Sequence, residues 1–247
     1  MVGPFLRGFG YLLTGFRLLP HPQVRTFVVI PFLINAGLFS IGIWWAWGAF
    51  EGLIQSLVAW LPDWLDWLSW LLWPLFVVAQ LIVVFYTFTL VANLVAAPFN
   101  GTLAERVEDL VGPNRQRPPQ RPLWAEAAIA PLVELKKLGY FIAWTLPLLL
   151  LFFIPPLNLA APFVWAAFTA WMLALQYMDY PMGNHRLPFK EQRKVLAEKR
   201  WLGLGFGAGV LAMTLVPVLN FLAMPTAVVG ATVLFVNEFP RFGRQGD

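Results

Sequence analysis

Arg25 follows Pro22 by three positions and stands at the threshold of a stretch, Thr26 to Gly48, that carries no charge. Proline is tolerated in the first turn of a helix because its missing N–H would have no partner there. A helix begun at Pro22 places unpaired backbone N–H groups and the positive end of its dipole beside the Arg25 guanidinium. Donors of that kind suit a tetrahedral oxyanion. Gln23, Val24 and Thr26 offer N–H groups, and the Thr26 hydroxyl offers another donor. The alternative role for Arg25 is a basic anchor at a membrane surface, touching lipid phosphate and fixing orientation.

A second set comprises Asn35, Asn93, Asn100, Asn158 and Asn220, each in apolar sequence. Asparagine within apolar helices can join helices to one another, or line an anion path as an uncharged donor. Both roles stand open on the sequence. Glu105 and Arg106 read either as the charged mouth of a pore, with Arg106 attracting anions, or as a helix cap with a solvated ion pair. The basic run 186–200 is most simply a helix lying on the membrane surface, with no catalytic part.

Much other chemistry is excluded by composition. There is no Cys, and His21 and His185 are the only histidines. Thiolate nucleophiles and Cys-ligated metals therefore have no residues to build on, and two histidines nearly exclude a His-based metal, haem or triad site. With so few acid–base groups an enzyme is not expected, nor is a cofactor or metal.

The elements that must hold these residues are membrane helices. Hydrophobic residues make up 59% and charged residues 12% of the chain, against about 25% charged in a typical soluble protein. Uncharged blocks run over 26–48, 67–104, 138–178 and 201–237, and one helical crossing takes about 20 apolar residues. The connection between the first two blocks has Glu51, Asp63 and Asp66 but no Lys or Arg. All other connections are basic, so that loop faces away from the cytoplasm and both termini face it. Acidic residues such as Glu105, Asp109 and Glu198 interleave with the basic ones, which argues against a nucleic-acid partner and for the membrane surface.

One membrane domain over 1–247 is expected. Residues 1–20 form an amphipathic interfacial helix. They lack the central apolar run and small-residue cleavage site of a leader, the less favoured reading. A transmembrane helix follows over 22–50, then an outer loop over 51–66 leading into a Trp-rich interfacial face. A second transmembrane helix lies within 67–104, punctuated by Pro74 and Pro98. Residues 105–137 comprise a helix opened by a capping box, Thr102 to Glu105, and the Pro-rich loop 112–122. Hairpins over 138–178 and 201–237 flank a cytoplasmic helix over 179–200.

Each hairpin is broken centrally by Pro-x-x-Asn and a further proline: Pro155 to Asn158 with Pro162, and Pro217 to Asn220 with Pro225. Proline removes a donor and restricts its predecessor, while Asn can satisfy freed backbone groups. The first arm of each has about 16 residues, or about 24 Å of helix, short of a bilayer core of about 30 Å. Partial penetration is favoured over arms that just reach the far interface. The fold class is thus an all-α integral membrane protein with an N-terminal amphipathic helix, two long transmembrane helices and two hemi-penetrating hairpins.

Three segments together resemble a known family: His21-Pro-Gln-Val-Arg25-Thr-Phe-Val-Val-Ile-Pro31-Phe-Leu-Ile-Asn35, Asn93-Leu-Val-Ala-Ala-Pro98-Phe-Asn100-Gly-Thr-Leu-Ala-Glu105, and the Pro-x-x-Asn hairpins. They are similar to the CysZ family of bacterial inner-membrane sulfate permeases, over essentially the whole chain. The resemblance implies sulfate uptake for cysteine synthesis through a channel-like, homo-oligomeric protein of the inner membrane. It implies no ATPase subunit. It also implies a sulfate site at the start of the first long helix, where relatives resemble Gly-Leu/Ile-Arg-Arg. Gln23, Val24, Arg25 and Thr26 occupy those positions here, so one Arg remains and Thr26 replaces the second. A sulfate sensor or a lipid-anchored scaffold without conduction is the alternative.

Overall fold

Prolines set where several of the helices begin. The computed structural model describes residues 2–58, 66–112, 118–119 and 123–242. Side chains at 88–98 and 123–130, and at some other positions of the long helices, fall outside that description, as does most of the Pro-rich stretch 112–122. Helix α1 spans Val2–Leu18, and after a short turn α2 runs Pro22–Val58. Helix α3 spans Asp66–Val111, α4 Leu123–Leu150, α5 Ala161–Asn184 and α6 Phe189–Glu198. Helices α7, Arg200–Thr214, and α8, Pro217–Glu238, complete the series. Pro22, Pro162 and Pro217 each sit in a first turn, where a proline costs no hydrogen bond. No strand occurs among the described residues, and the protein is all-α.

Local signals elsewhere are overridden. Thr102 and Glu105 lie inside α3, not at a helix start, because that helix continues through Pro98 to Val111. A proline within an apolar helix removes one hydrogen bond, and a non-helical backbone there would leave several groups unpaired. Helix α4 likewise reaches back through Lys136 and Lys137 to Leu123. Charge, and not helix length, therefore limits how much of α4 suits lipid.

The two central breaks differ in form. After α4 come 3-10 turns at Leu151–Phe153 and Leu157–Leu159, with a cis peptide between Pro155 and Pro156. Between α7 and α8 only Leu215 and Val216 intervene. The Asn158 N–H donates to the Ile154 carbonyl at 3.0 Å, and the Asn220 N–H to the Val216 carbonyl at 2.9 Å. Both Asn side chains are exposed and neither caps a helix. Backbone bonds close these turns, contrary to the expectation that the amide side chains would. Phe153, Leu159 and Phe163 at the first break, and Leu215, Val218 and Phe221 at the second, are strongly exposed apolar groups.

Among the described residues three helices are long and apolar enough to cross a bilayer: Pro22–Gly48, Pro131–Phe153 and Pro217–Glu238. Together with the exposed apolar side chains they make this a membrane protein. The chain divides into two compact units. One is Thr26–Phe99, which holds α2 beyond its first turn and the N-terminal part of α3. Its α2 presents Phe32, Ile41, Trp44 and Trp45 outward.

The other unit, Met1–Arg25 with Asn100–Asp247, holds the buried core. There α1 packs on α7 and α8, and α5 on α7 and α8. Glycines allow the approach. A Cβ on Gly205 of α7 would lie 1.9 Å from the Phe5 carbonyl oxygen of α1, and one on Gly207 would lie 1.8 Å from the Ala170 carbonyl of α5. Backbone-to-backbone contact of this kind is how small residues associate membrane helices, where no hydrophobic gain separates protein from lipid. Phe206, Leu234 and Phe235 fill the space between.

Candidate functional site

The start of α2 is pinned from below and open above. The Val24 side chain is fully buried, while Gln23, Arg25 and Thr26 are exposed. The Arg25 guanidinium has no ion-pair or hydrogen-bond partner among the described residues. An uncompensated guanidinium beside a helix N-terminus is a competent oxyanion ligand.

His21 changes the donor inventory. Its carbonyl accepts from both the Val24 and the Arg25 N–H at 2.9 Å, and its ring Nδ1 lies 3.4 Å from the Gln23 N–H. His21 therefore acts as the N-cap, using backbone donors that the sequence left free for an anion. The Val24 N–H is consumed inside the helix. The donors that remain for a ligand centre on the Arg25 guanidinium and the Gln23 side chain, with the Gln23 N–H held only at long distance.

No hydrogen bond joins any two of the asparagines among the described residues. Asn100 is buried, and its Nδ2 lies 3.4 Å from the Tyr180 hydroxyl of α5 and 3.5 Å from the Met224 sulfur of α8. It ties α3, α5 and α8 together through long contacts. Asn220 sits one turn before Met224 on α8 and is exposed, and Asn158 lies in the 3-10 turn at the other break. In the separate unit 26–99, the Asn35 Oδ1 is buried without a hydrogen-bond partner among the described residues. The side chain of Asn93 falls outside them.

Glu105 and Arg106 differ in setting. Glu105 is half-buried and engaged, whereas Arg106 is exposed with no partner among the described residues. Glu108, which no sequence argument singled out, is the most buried charge among the described residues. It is fully enclosed, with Oε1 2.6 Å from Nε2 of His185, itself almost fully buried against Phe235. Leu103, Ala104 and Val107 share its helical face and are equally buried. That spacing was readable, since a carboxylate among buried positions needs a partner. The partner, 77 residues away, was not readable.

A second polar cluster ties α1 to the end of α8. Glu238 accepts from Arg7, from the Tyr11 hydroxyl at 2.8 Å and from Lys199 at 2.7 Å. Burial, reinforced by the bond to Glu238, pushes the Tyr11 phenol up to about 12. No group of metal-ligating residues occurs among the described residues.

Comparison with known proteins bears on the whole arrangement. The family described as "Sulfate transporter CysZ/Etoposide-induced protein 2.4" matches residues 11–225. A protein named Sulfate transporter CysZ from Pseudomonas paraeruginosa (strain DSM 24068 / PA7) is 44% identical over 239 residues, 95% of this chain and 96% of its own. Proteins of the same name from Pseudomonas fluorescens (strain Pf0-1) and Pseudomonas syringae pv. tomato are each 44% identical over 242 residues. These cover 96% of this chain, and 96% and 95% of their own lengths. With a membrane architecture and an unpaired arginine at the head of its first long helix, the chain belongs to the Sulfate transporter CysZ/Etoposide-induced protein 2.4 family.

Proposed function

We propose that this protein carries sulfate across the bacterial inner membrane, as a channel-like permease feeding cysteine biosynthesis. It is a transporter and not an enzyme. The observation that carries the reading is the agreement with proteins named Sulfate transporter CysZ along nearly the full length of both chains. Arg25 supplies the local chemistry. Sulfate is costly to desolvate, so a site on the path must replace water contacts without holding the ion too tightly to release it. A single guanidinium with the Gln23 amide and the neighbouring Thr26 meets that requirement better than a multivalent cage. Val24 acts by anchoring this turn.

The path includes, besides Arg25, the uncharged polar residues Asn35, Asn93, Asn100, Asn158 and Asn220. Arg106, beside Glu105, biases one mouth toward anions. Movement follows the sulfate gradient and intracellular consumption. The two Pro/Asn breaks enter the bilayer without crossing it, a reading supported by the exposed apolar side chains around both. The protein works as a homo-oligomer among membrane lipids, with the termini cytoplasmic.

Uptake of labelled sulfate into proteoliposomes tests the proposal. Saturable flux well above empty vesicles is expected from folded protein. Binding without flux would replace transport by sensing, and neither binding nor flux would leave a scaffold.

A further inference from the structure

A second basic site lies apart from Arg25, between α4 and α6. A cleft of about 420 Å³ opens there, lined by Lys136 and Tyr140 of α4 and by Phe189, Lys190 and Arg193 of α6. All of these residues belong to the unit that contains the buried core. No carboxylate lines the cleft among the described residues. Two acids of the neighbouring helices are engaged elsewhere: Lys137 bonds Glu134 at 2.7 Å and Asp179 at 2.6 Å, and Gln192 takes the other oxygen of Asp179 at 2.6 Å. Lys136, Lys190 and Arg193 have no ion-pair partner among the described residues.

Arg193 is held in place without being neutralised. Its guanidinium carbon stands 4.4 Å from the centre of the Tyr140 ring and 5.2 Å from that of Phe189, and these rings meet edge to face at 5.8 Å. Its Nε is buried and has no hydrogen-bond partner among the described residues. Stacking fixes the plane of the guanidinium while leaving its hydrogen-bonding edge unused, the arrangement suited to bidentate binding of a phosphate.

The position of the cleft selects among phosphates. The charge-free part of α4 begins at Leu138, so Lys136 stands at the edge of the apolar layer and Tyr140 just within it. Trp144, one turn deeper, meets Tyr140 edge to face at 6.4 Å. Aromatic residues of this kind gather at headgroup depth. Cations beside apolar walls match an amphiphile: a phosphate outside and a glycerol and acyl portion inside. Three uncompensated cations also disfavour a headgroup that carries its own ammonium.

We propose that the Lys136–Lys190–Arg193 cleft binds the phosphate of an anionic phospholipid, clamping α6 to the cytoplasmic end of α4. The site does not depend on sulfate transport, and its test reads lipid retention, not flux. The full-length protein in neutral detergent is titrated with phosphatidylglycerol or phosphatidylcholine and bound lipid is counted by native mass spectrometry. Phosphatidylglycerol should be retained about tenfold better, and Lys190→Gln with Arg193→Gln should remove that preference. Exposed Lys136→Gln, chosen because it leaves the ring stack intact, should reduce it severalfold in protein that unfolds at the parental temperature. Lys194→Gln, on the same helix outside the cleft, should leave it unchanged. Equal retention of the two lipids, or a preference that survives both the Lys136 and the double substitution, overturns the site. Displacement of phosphatidylglycerol by millimolar inorganic phosphate or sulfate overturns the lipid as its occupant.

Discussion

The Arg25 guanidinium has no partner among the described residues, and its neighbours determine how much one charge must do. His21 consumes the N–H groups of Val24 and Arg25, so an anion at this turn relies on the guanidinium more than on the helix end. A hydrogen bond to a charged group is worth about 1.5–3 kcal/mol. Arg25→Ala should therefore raise the half-saturating sulfate concentration about tenfold to a hundredfold in proteoliposome uptake. Unchanged flux would remove Arg25 from the path while leaving transport in place. Asn100 is the complementary case. Its contacts at 3.4 and 3.5 Å are long, and such links between membrane helices average about 0.6 kcal/mol. Asn100→Leu should lower thermal stability by less than about 1 kcal/mol, so a severalfold loss of sulfate flux in that variant would be a conduction effect. If flux stays parental, Asn100 is only a tie between α3, α5 and α8.

At the scale of elements, α7 is the hub. Its alternating glycines turn successive faces toward α1, α5 and α6, and the contacts at Gly205 and Gly207 are with backbone, which cannot rotate away. Overpacking commonly costs about 1–3 kcal/mol, and a carbonyl less than 2 Å from the new Cβ belongs at the upper end. Gly205→Ala should lower the unfolding temperature in detergent by many degrees and loosen α1, seen as earlier proteolysis near Arg7. Gly139→Ala, where the added carbon meets nothing within 4 Å, is the matched control and should be neutral or slightly stabilising. A Gly205→Ala protein as stable as its parent would mean that α1 does not pack on α7. The Tyr11–Glu238–Lys199 contacts at the far end of α8 hold the same helix by polar means.

For the whole molecule, orientation follows from where charge is absent. The connection expected to face outward carries only acidic residues, and the α6 region is strongly basic. Since the chain has no Cys, a single cysteine reports its side without background. Ser56→Cys should react with a membrane-impermeant maleimide on intact spheroplasts, and Lys194→Cys only after the membrane is broken. The reverse pattern would invert the orientation read from the charge bias.

What the sequence determined by itself was whatever depends on short stretches of chain. The absence of charge over 26–48, 138–178 and 201–237 was enough for membrane helices, because burial of charge in lipid is prohibitive at any fold. Pro22 and Pro217 located helix starts because a proline acts on its own turn. Arg25 was visible because it stands alone. Tertiary structure decided the rest. It carried α3 through Pro98 and Thr102, where continuous hydrogen bonding outweighed a local cap signal. It closed the two Pro/Asn breaks with backbone bonds, leaving both asparagine side chains outside. It enclosed Glu108 with His185, brought Phe5 against Gly205, and stacked Arg193 on Tyr140. Each of those contacts joins residues far apart in the chain. Local periodicity reports which face is apolar, but only the packed helices determine which neighbour that face meets.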